Sequence, residues 1–153
     1  MESTVIGWRE WLALPDLGVP AIKAKIDTGA RTSALHVVGL ETLEVNNRSL
    51  ARFRLHPLPR RTDVVLECQS EIIDRRWVSD SGGHREWRPV ILSTVRLGGQ
   101  QWPIEITLTD RDNMLFRMLL GRTAMTDRLI VDPSRSYLCG RRVRPSPYSR
   151  SAR

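Results

Sequence analysis

The sequence predicts a mainly-β barrel, and three observations carry that expectation. Apolar residues recur with period two far more often than with period 3.6. Gly, Pro and Asp turn signals divide the chain into strand-length pieces. One segment, residues 122–127, has room for a helix, and it is short. Short strands, frequent turns and a single helical turn suit a sheet closed on itself better than alternating strands and helices.

The elements follow in order. Residues 8–14 read as a strand closed by the turn Pro15-Asp16-Leu17-Gly18. Pro20, Ile22, Ala24 and Ile26 then alternate with Val19, Ala21, Lys23 and Lys25, a strand with one face buried. It runs directly into Asp27-Thr28-Gly29. Residues 64–66 and 88–97 are further strands, the second ending at the hairpin signal Gly98-Gly99. Beyond it, Trp102, Ile104, Ile106 and Leu108 alternate with Gln101, Pro103, Glu105 and Thr107, the clearest half-buried strand in the chain. An apolar run over residues 114–120 ends at Gly121, the short helix follows, and residues 129–131 form a strand that Pro133 breaks. Residues 137–139 are expected as a brief last strand. The domain is therefore drawn as residues 1–140, with residues 141–153 a basic, disordered tail whose Arg/Ser/Pro composition cannot bury a core.

Composition bounds the function. The chain has 153 residues, one domain's worth, and 41% are apolar, enough for a core. No stretch approaches the roughly 18 uninterrupted apolar residues of a spanning helix, so no membrane partner is expected. Met1-Glu2-Ser3-Thr4 does not open a secretory signal. Two cysteines, Cys68 and Cys139, give no disulfide framework and suit a reducing, cytoplasmic setting. The net charge is +7, and 22 of the 24 basic residues are Arg. Five lie in the acid-free tail; Arg48, Arg52, Arg54, Arg60 and Arg61 lie in a second acid-free stretch between Glu44 and Asp63. Arg presents a planar fork to carboxylates and phosphates, so an acidic peptide or a nucleic acid is a candidate partner. A solvated Arg-rich surface would look the same. Nucleic acid ranks second, because the nine aromatics are scattered rather than grouped into a stacking platform.

Three features stand in a telling order. Asp27-Thr28-Gly29-Ala30 ends an alternating strand. A polar, Gly-rich tip, Ser79-Asp80-Ser81-Gly82-Gly83-His84, is flanked by Trp77-Val78 and Trp87-Arg88. Leu119-Leu120-Gly121-Arg122 then opens the helix. Alone, the triplet is only a polar turn. Together the three resemble the retropepsin-like aspartic proteases, with the flap at roughly residues 77–87 and the likeness covering about residues 8–139. The segment Lys25-Ile26-Asp27-Thr28-Gly29-Ala30-Arg31-Thr32-Ser33-Ala34-Leu35-His36 resembles more closely a bacterial group historically labelled "ATP-dependent zinc protease". Some of its members, the RimB type, accompany RimK-type ligases that add glutamates to a small-subunit ribosomal protein.

The resemblance implies a retropepsin-like barrel with a flap hairpin, working as a homodimeric aspartic endopeptidase. Two carboxylates a few ångströms apart share one proton: the ionised one activates water and the protonated one donates to the scissile carbonyl. One chain supplies one such residue, Asp27, so a second copy must supply its mate. By the same resemblance Thr28 braces the pair, Gly29 admits substrate backbone, and Ala30, Arg31, Asp80, Ser81, Gly82, Gly83, His84 and Arg122 contact substrate. The implied substrate is an acidic, glutamate-rich tail, the ribosomal protein's among the candidates. No cofactor or metal is expected. The older label finds little support, since the chain has neither a Gly-rich phosphate loop ending in Gly-Lys-Ser/Thr nor a His-Glu-x-x-His pair. His36, His56 and His84 show no helix-face spacing. The alternative reading is a non-catalytic dimeric module that binds RNA or an acidic protein.

Two further readings bear on the site. A rival triplet, Asp80-Ser81-Gly82, lacks a preceding buried strand and reads as the flap-tip turn. Ordinary retropepsins carry an acid two residues past the triplet's Gly, paired with the Arg of the Gly-Arg helix. Here that position is Arg31 while Arg122 is kept, so one cation is left to a substrate carboxylate or to Asp110 or Asp127.

Overall fold

The computed structural model describes residues 3–139 other than 59, 81, 112 and 113, together with Tyr148. Its strands are β1 (Thr4–Ile6), β2 (Arg9–Leu14), β3 (Val19–Ile26), β4 (Ser33–Val45), β5 (Arg48–Leu55), β6 (Leu66–Ser79), β7 (Arg85–Leu97), β8 (Gln100–Asp110), β9 (Met118–Leu120) and β10 (Leu129–Val131), with one helical turn, α1 (Arg122–Met125). The mainly-β class and the single short helix are borne out.

The main sheet runs β2-β3-β9-β4-β5-β6-β7-β8 and closes on itself through β2–β7 and β4–β8 pairings. Alternation explains what fills it. Ile104, Ile106 and Leu108 of β8 meet Leu12, Ile22, Leu35, Ile91 and Met118 in one core. Gly98 and Gly99, both with positive φ, make the β7–β8 turn. Pro15–Leu17 is a 3-10 turn ended by Gly18 in the left-handed region.

Several strands are longer than their sequence suggests. β4 and β6 span 13 and 14 residues, and each bends where the register shifts. In β4 the first half pairs with β8 and β9 and the second half with β5. The bend falls at Gly39, whose φ of 66° few other residues accept. Of the strand expected at residues 64–66 only Leu66 is extended, as the first residue of β6, and the one at 88–97 is the latter part of β7.

Residues 137–139 do not form the expected strand. The Tyr137 N–H donates to the Arg9 carbonyl (3.0 Å), and those of Leu138 and Cys139 turn to a side chain. Glu10 on β2 is fully buried, and its carboxylate accepts from Gly7 N (2.6 Å), Leu138 N (2.9 Å) and Cys139 N (3.1 Å). A charged acceptor with three backbone donors replaces a ladder, tying the segment after β10 to the front of the barrel. β1 and β10 add a parallel two-stranded sheet beside this clamp. Gly7 has no room for a side chain, because a Cβ there would stand 2.2 Å from the Arg135 carbonyl oxygen.

The disordered-tail expectation falls on residues outside those described, Tyr148 excepted. Tyr148 packs with Trp11, Ala21 and Leu58. Its hydroxyl donates to the Ala21 carbonyl (2.8 Å) and accepts from the Ala21 N–H (3.3 Å). Among the described residues β9 pairs with residues 24–26 of β3, so this phenol satisfies backbone groups that no described strand reaches.

Candidate active site

Asp27 follows the last residue of β3, and its N–H extends the ladder to the Leu120 carbonyl of β9 (2.9 Å). The chain then turns sharply because the carboxylate folds back on it: Asp27 Oδ1 accepts from Gly29 N (3.0 Å) and Ala30 N (3.2 Å). These bonds fix the carboxylate's orientation and leave Oδ2 unengaged among the described residues. Thr28 and Gly29 are exposed and Asp27 partly so.

A second segment braces this loop from behind. Arg122 N donates to the Ala30 carbonyl (2.7 Å), Thr123 N and Oγ1 both donate to the Arg31 carbonyl (3.0 and 2.9 Å), and Gly121 N donates to Ser33 Oγ (3.0 Å). A Cβ on Gly121 would stand 2.6 Å from the Thr32 carbonyl carbon. Only Gly lets the two backbones approach this closely. The two motifs, some ninety residues apart in sequence, thus form one interlocked unit. Ser33, half of that contact, went unread in the sequence because a Ser at a strand start carries no distinctive signal.

The two cations are placed differently from expectation. Arg122 Nη1 donates to the Thr28 carbonyl (3.1 Å), so it stiffens the loop rather than standing free in the cleft. Arg31 is exposed, and its charge is felt by Glu105, whose carboxyl is held below its usual range chiefly by hydrogen bonds from Arg76 and also by Arg31. Asp110 is no partner for either; it accepts from Leu40 N (3.1 Å).

The flap is a hairpin of β6 and β7, with Trp77 directly opposite Trp87. Asp80 builds its tip: Oδ1 accepts from Gly82 N and His84 N (both 2.9 Å), and Gly83 takes φ of 86°. The N–H of His84 and that of Gly82 hold the Asp80 carboxyl below its ordinary range, helped by the charges of His84 and Arg111. Asp80 is thus committed to the turn. Ser81 lies outside the described residues. The two Trp rings are exposed, 5.3 Å apart, with the Arg85 guanidinium 5.0 Å above Trp77.

No group of three or more His, Cys, Asp or Glu stands close enough to hold a metal among the described residues. Of the three histidines, His36 is buried in β4. Burial lowers its pKa, as do the charges of Arg88 and Arg111, against hydrogen bonds that the ring donates to the Phe116 and Arg117 carbonyls. Above about pH 6.5 the ring is neutral whether folded or not; below it, the unfolded chain takes a proton that the folded chain resists. Stability therefore falls as pH drops from about 6.5 toward 5. Asp16, Asp74, Asp80, Glu105 and Asp132, all held low, lose their stabilising contribution only under still more acid conditions. Urea midpoints at pH 7 and 5.5 should differ, and His36→Gln should shrink the difference.

The sequence pattern described as "RimB-like: Retropepsin-like aspartic endopeptidase RimB" matches residues 5–142. Proteins named "Probable alpha-L-glutamate ligase" are 47% identical in Shewanella pealeana and 46% in Desulfotalea psychrophila, over 89% and 88% of this chain. The chain spans only 30% and 29% of their length. A Legionella pneumophila protein of unknown function superposes with a TM-score of 0.74 at 27% identity, over 91% of this chain and 100% of that one.

Proposed function

Because the chain belongs to the RimB-like family of retropepsin-like aspartic endopeptidases, we propose that it hydrolyses peptide bonds as a homodimer, with Asp27 of each copy forming the catalytic pair. The observation that carries this is the interlocked loop. Gly29 and Ala30 N–H groups orient one carboxylate oxygen, the 121–123 segment fixes the loop from behind, and the carboxylate stands at an exposed surface. In the pair one carboxylate is ionised and takes a proton from water; the other is protonated and donates to the carbonyl oxygen as the tetrahedral carbon forms. Collapse returns a proton to the leaving amine. In this reading the Thr28 hydroxyls brace the two loops, and the flap closes over the peptide to exclude water.

The substrate we propose is a glutamate-rich tail, a ribosomal protein's included. Two features support it: the surplus of Arg, and the likeness to proteins named as glutamate ligases. Exposed Arg31 beside the loop is the first candidate to meet such a chain, and Gly82, Gly83 and His84 present the flap's polar tip to it.

Mass spectrometry of a glutamate-tailed peptide incubated with the protein tests the reading. Cleavage should persist in chelator, and specific activity should fall on dilution below the dimer's dissociation constant. Full activity in a monomer excludes a shared pair. Salt-sensitive binding without cleavage transfers the chain to the binding-module reading.

A further inference from the structure

Strand register assembles a feature that no sequence motif announces. β9, β4, β8, β7 and β6 are neighbours, and pairing sets Ala34 opposite Leu119, His36 opposite Thr109, Val90 opposite Thr107 and Arg76 opposite Arg88. One step along each strand from the Leu119–Ala34–Thr107–Val90 row, the same face carries Arg117, His36, Thr109, Arg88 and Arg76. Lys25, two residues before Asp27, pairs with Leu119 and so lies in the first of these rows. The second row and the candidate catalytic carboxylate therefore leave the sheet on one side.

His36, Thr109 and Arg88 are 5%, 2% and 6% exposed. Each has a buried polar atom without a hydrogen-bond partner among the described residues: His36 Nδ1, Thr109 Oγ1 and Arg88 Nε. The carboxylate given to Arg88 is that of Glu86, 3.5 Å away on its own strand. Among the described residues, the charges acting on His36 are those of Arg88 on β7 and Arg111 after β8. Burying unsatisfied polar groups is costly in a resting structure, and a carboxylate that accepts from them would relieve that cost.

Resting on the acidic-peptide reading above, we propose that Arg88, Thr109 and His36 form a recessed specificity subsite that takes a glutamate side chain of the bound peptide. Arg88 and Thr109 donate to the carboxylate, and His36 becomes a further donor once Nδ1 is protonated. His36 lies four positions along the chain from Thr32, beside the Asp27 loop, about 13 Å at about 3.3 Å per residue. An extended peptide would thus bring in a residue three or four positions from the scissile bond. Arg88 rides on the flap hairpin, so lifting that hairpin opens the subsite.

Calorimetry on the full chain carrying Asp27→Asn tests this without requiring cleavage. A glutamate-tailed peptide should bind at least about tenfold tighter than its glutamine-tailed match, and repeating the titration in buffers of different ionisation enthalpy should show proton uptake. Thr109→Val, which keeps the shape, and Arg88→Met should each cut glutamate-peptide affinity about tenfold and leave glutamine-peptide affinity unchanged. Thermal unfolding of each variant confirms that it is folded. Equal losses for both peptides, or none for either, overturn the subsite. If the wild type cleaves nothing while the glutamate preference and its loss persist, the proteolytic reading fails and the subsite stands.

Discussion

Asp27→Asn is expected to lower kcat by at least about a thousandfold while leaving the fold and the dimer intact, because general acid–base work of this kind contributes factors of that order. The amide keeps the shape of the carboxylate, and its carbonyl oxygen can still accept from Gly29 N and Ala30 N. What it cannot do is share a proton with its counterpart. Mixing sharpens the result. If each copy contributes half the pair, a wild-type subunit joined to an Asp27→Asn subunit is inactive. Exchange of wild type with excess mutant should then drive activity down toward the residual homodimer fraction. Activity in proportion to wild-type subunits would show that one copy suffices. Asp80→Asn should retain at least a tenth of wild-type activity, since that side chain serves the flap turn.

Glu10→Gln should destabilise the fold by about 3 kcal/mol, roughly 10 °C in Tm for a chain of this size. Three backbone N–H groups converge on the carboxylate, using both oxygens. An amide offers one acceptor and turns two donors of its own toward the rest, leaving N–H groups buried and unmet. Differential scanning calorimetry measures the loss. A drop of less than about 1 kcal/mol would mean that water reaches Gly7, Leu138 and Cys139 more freely than their burial implies.

Asp27-Thr28-Gly29-Ala30 and Leu119-Leu120-Gly121-Arg122 were legible because their local chemistry is specific: a carboxylate that closes its own turn, and a Gly where two backbones touch. β3 and β8 were legible because one face is buried and the other wet. β4 was not. Ser33, Ala34, Leu35, His36 and Val37 are all buried, so no alternation marks the strand, and its far half changes partner at Gly39. β6 was read only at Leu66 and at its flap end from Trp77, since charges at Asp74, Arg75 and Arg76 mask the strand between; Arg76 pairs with Asp74 on its own strand and with Glu105 of β8 across the folded sheet. The final strand was misread because apolar Leu138 and Cys139 suggest a ladder, whereas their N–H groups go to a glutamate some 128 positions earlier. The row through His36 and Arg88 requires the register of five strands. No local pattern encodes that.

Tyr148 bears on how this chain behaves in company. A strand margin with free N–H and C=O groups is a template on which any extended segment can grow, and proteins blunt such margins to stay dispersed. Here one phenol occupies both backbone groups of Ala21, in a pocket shared with Trp11 and Leu58. Removal of the segment that carries Tyr148 would uncover the Ala21 backbone groups of β3 and leave the Asp27 loop untouched. Molecules trimmed of that segment would thus offer one another a place where an extended strand can add.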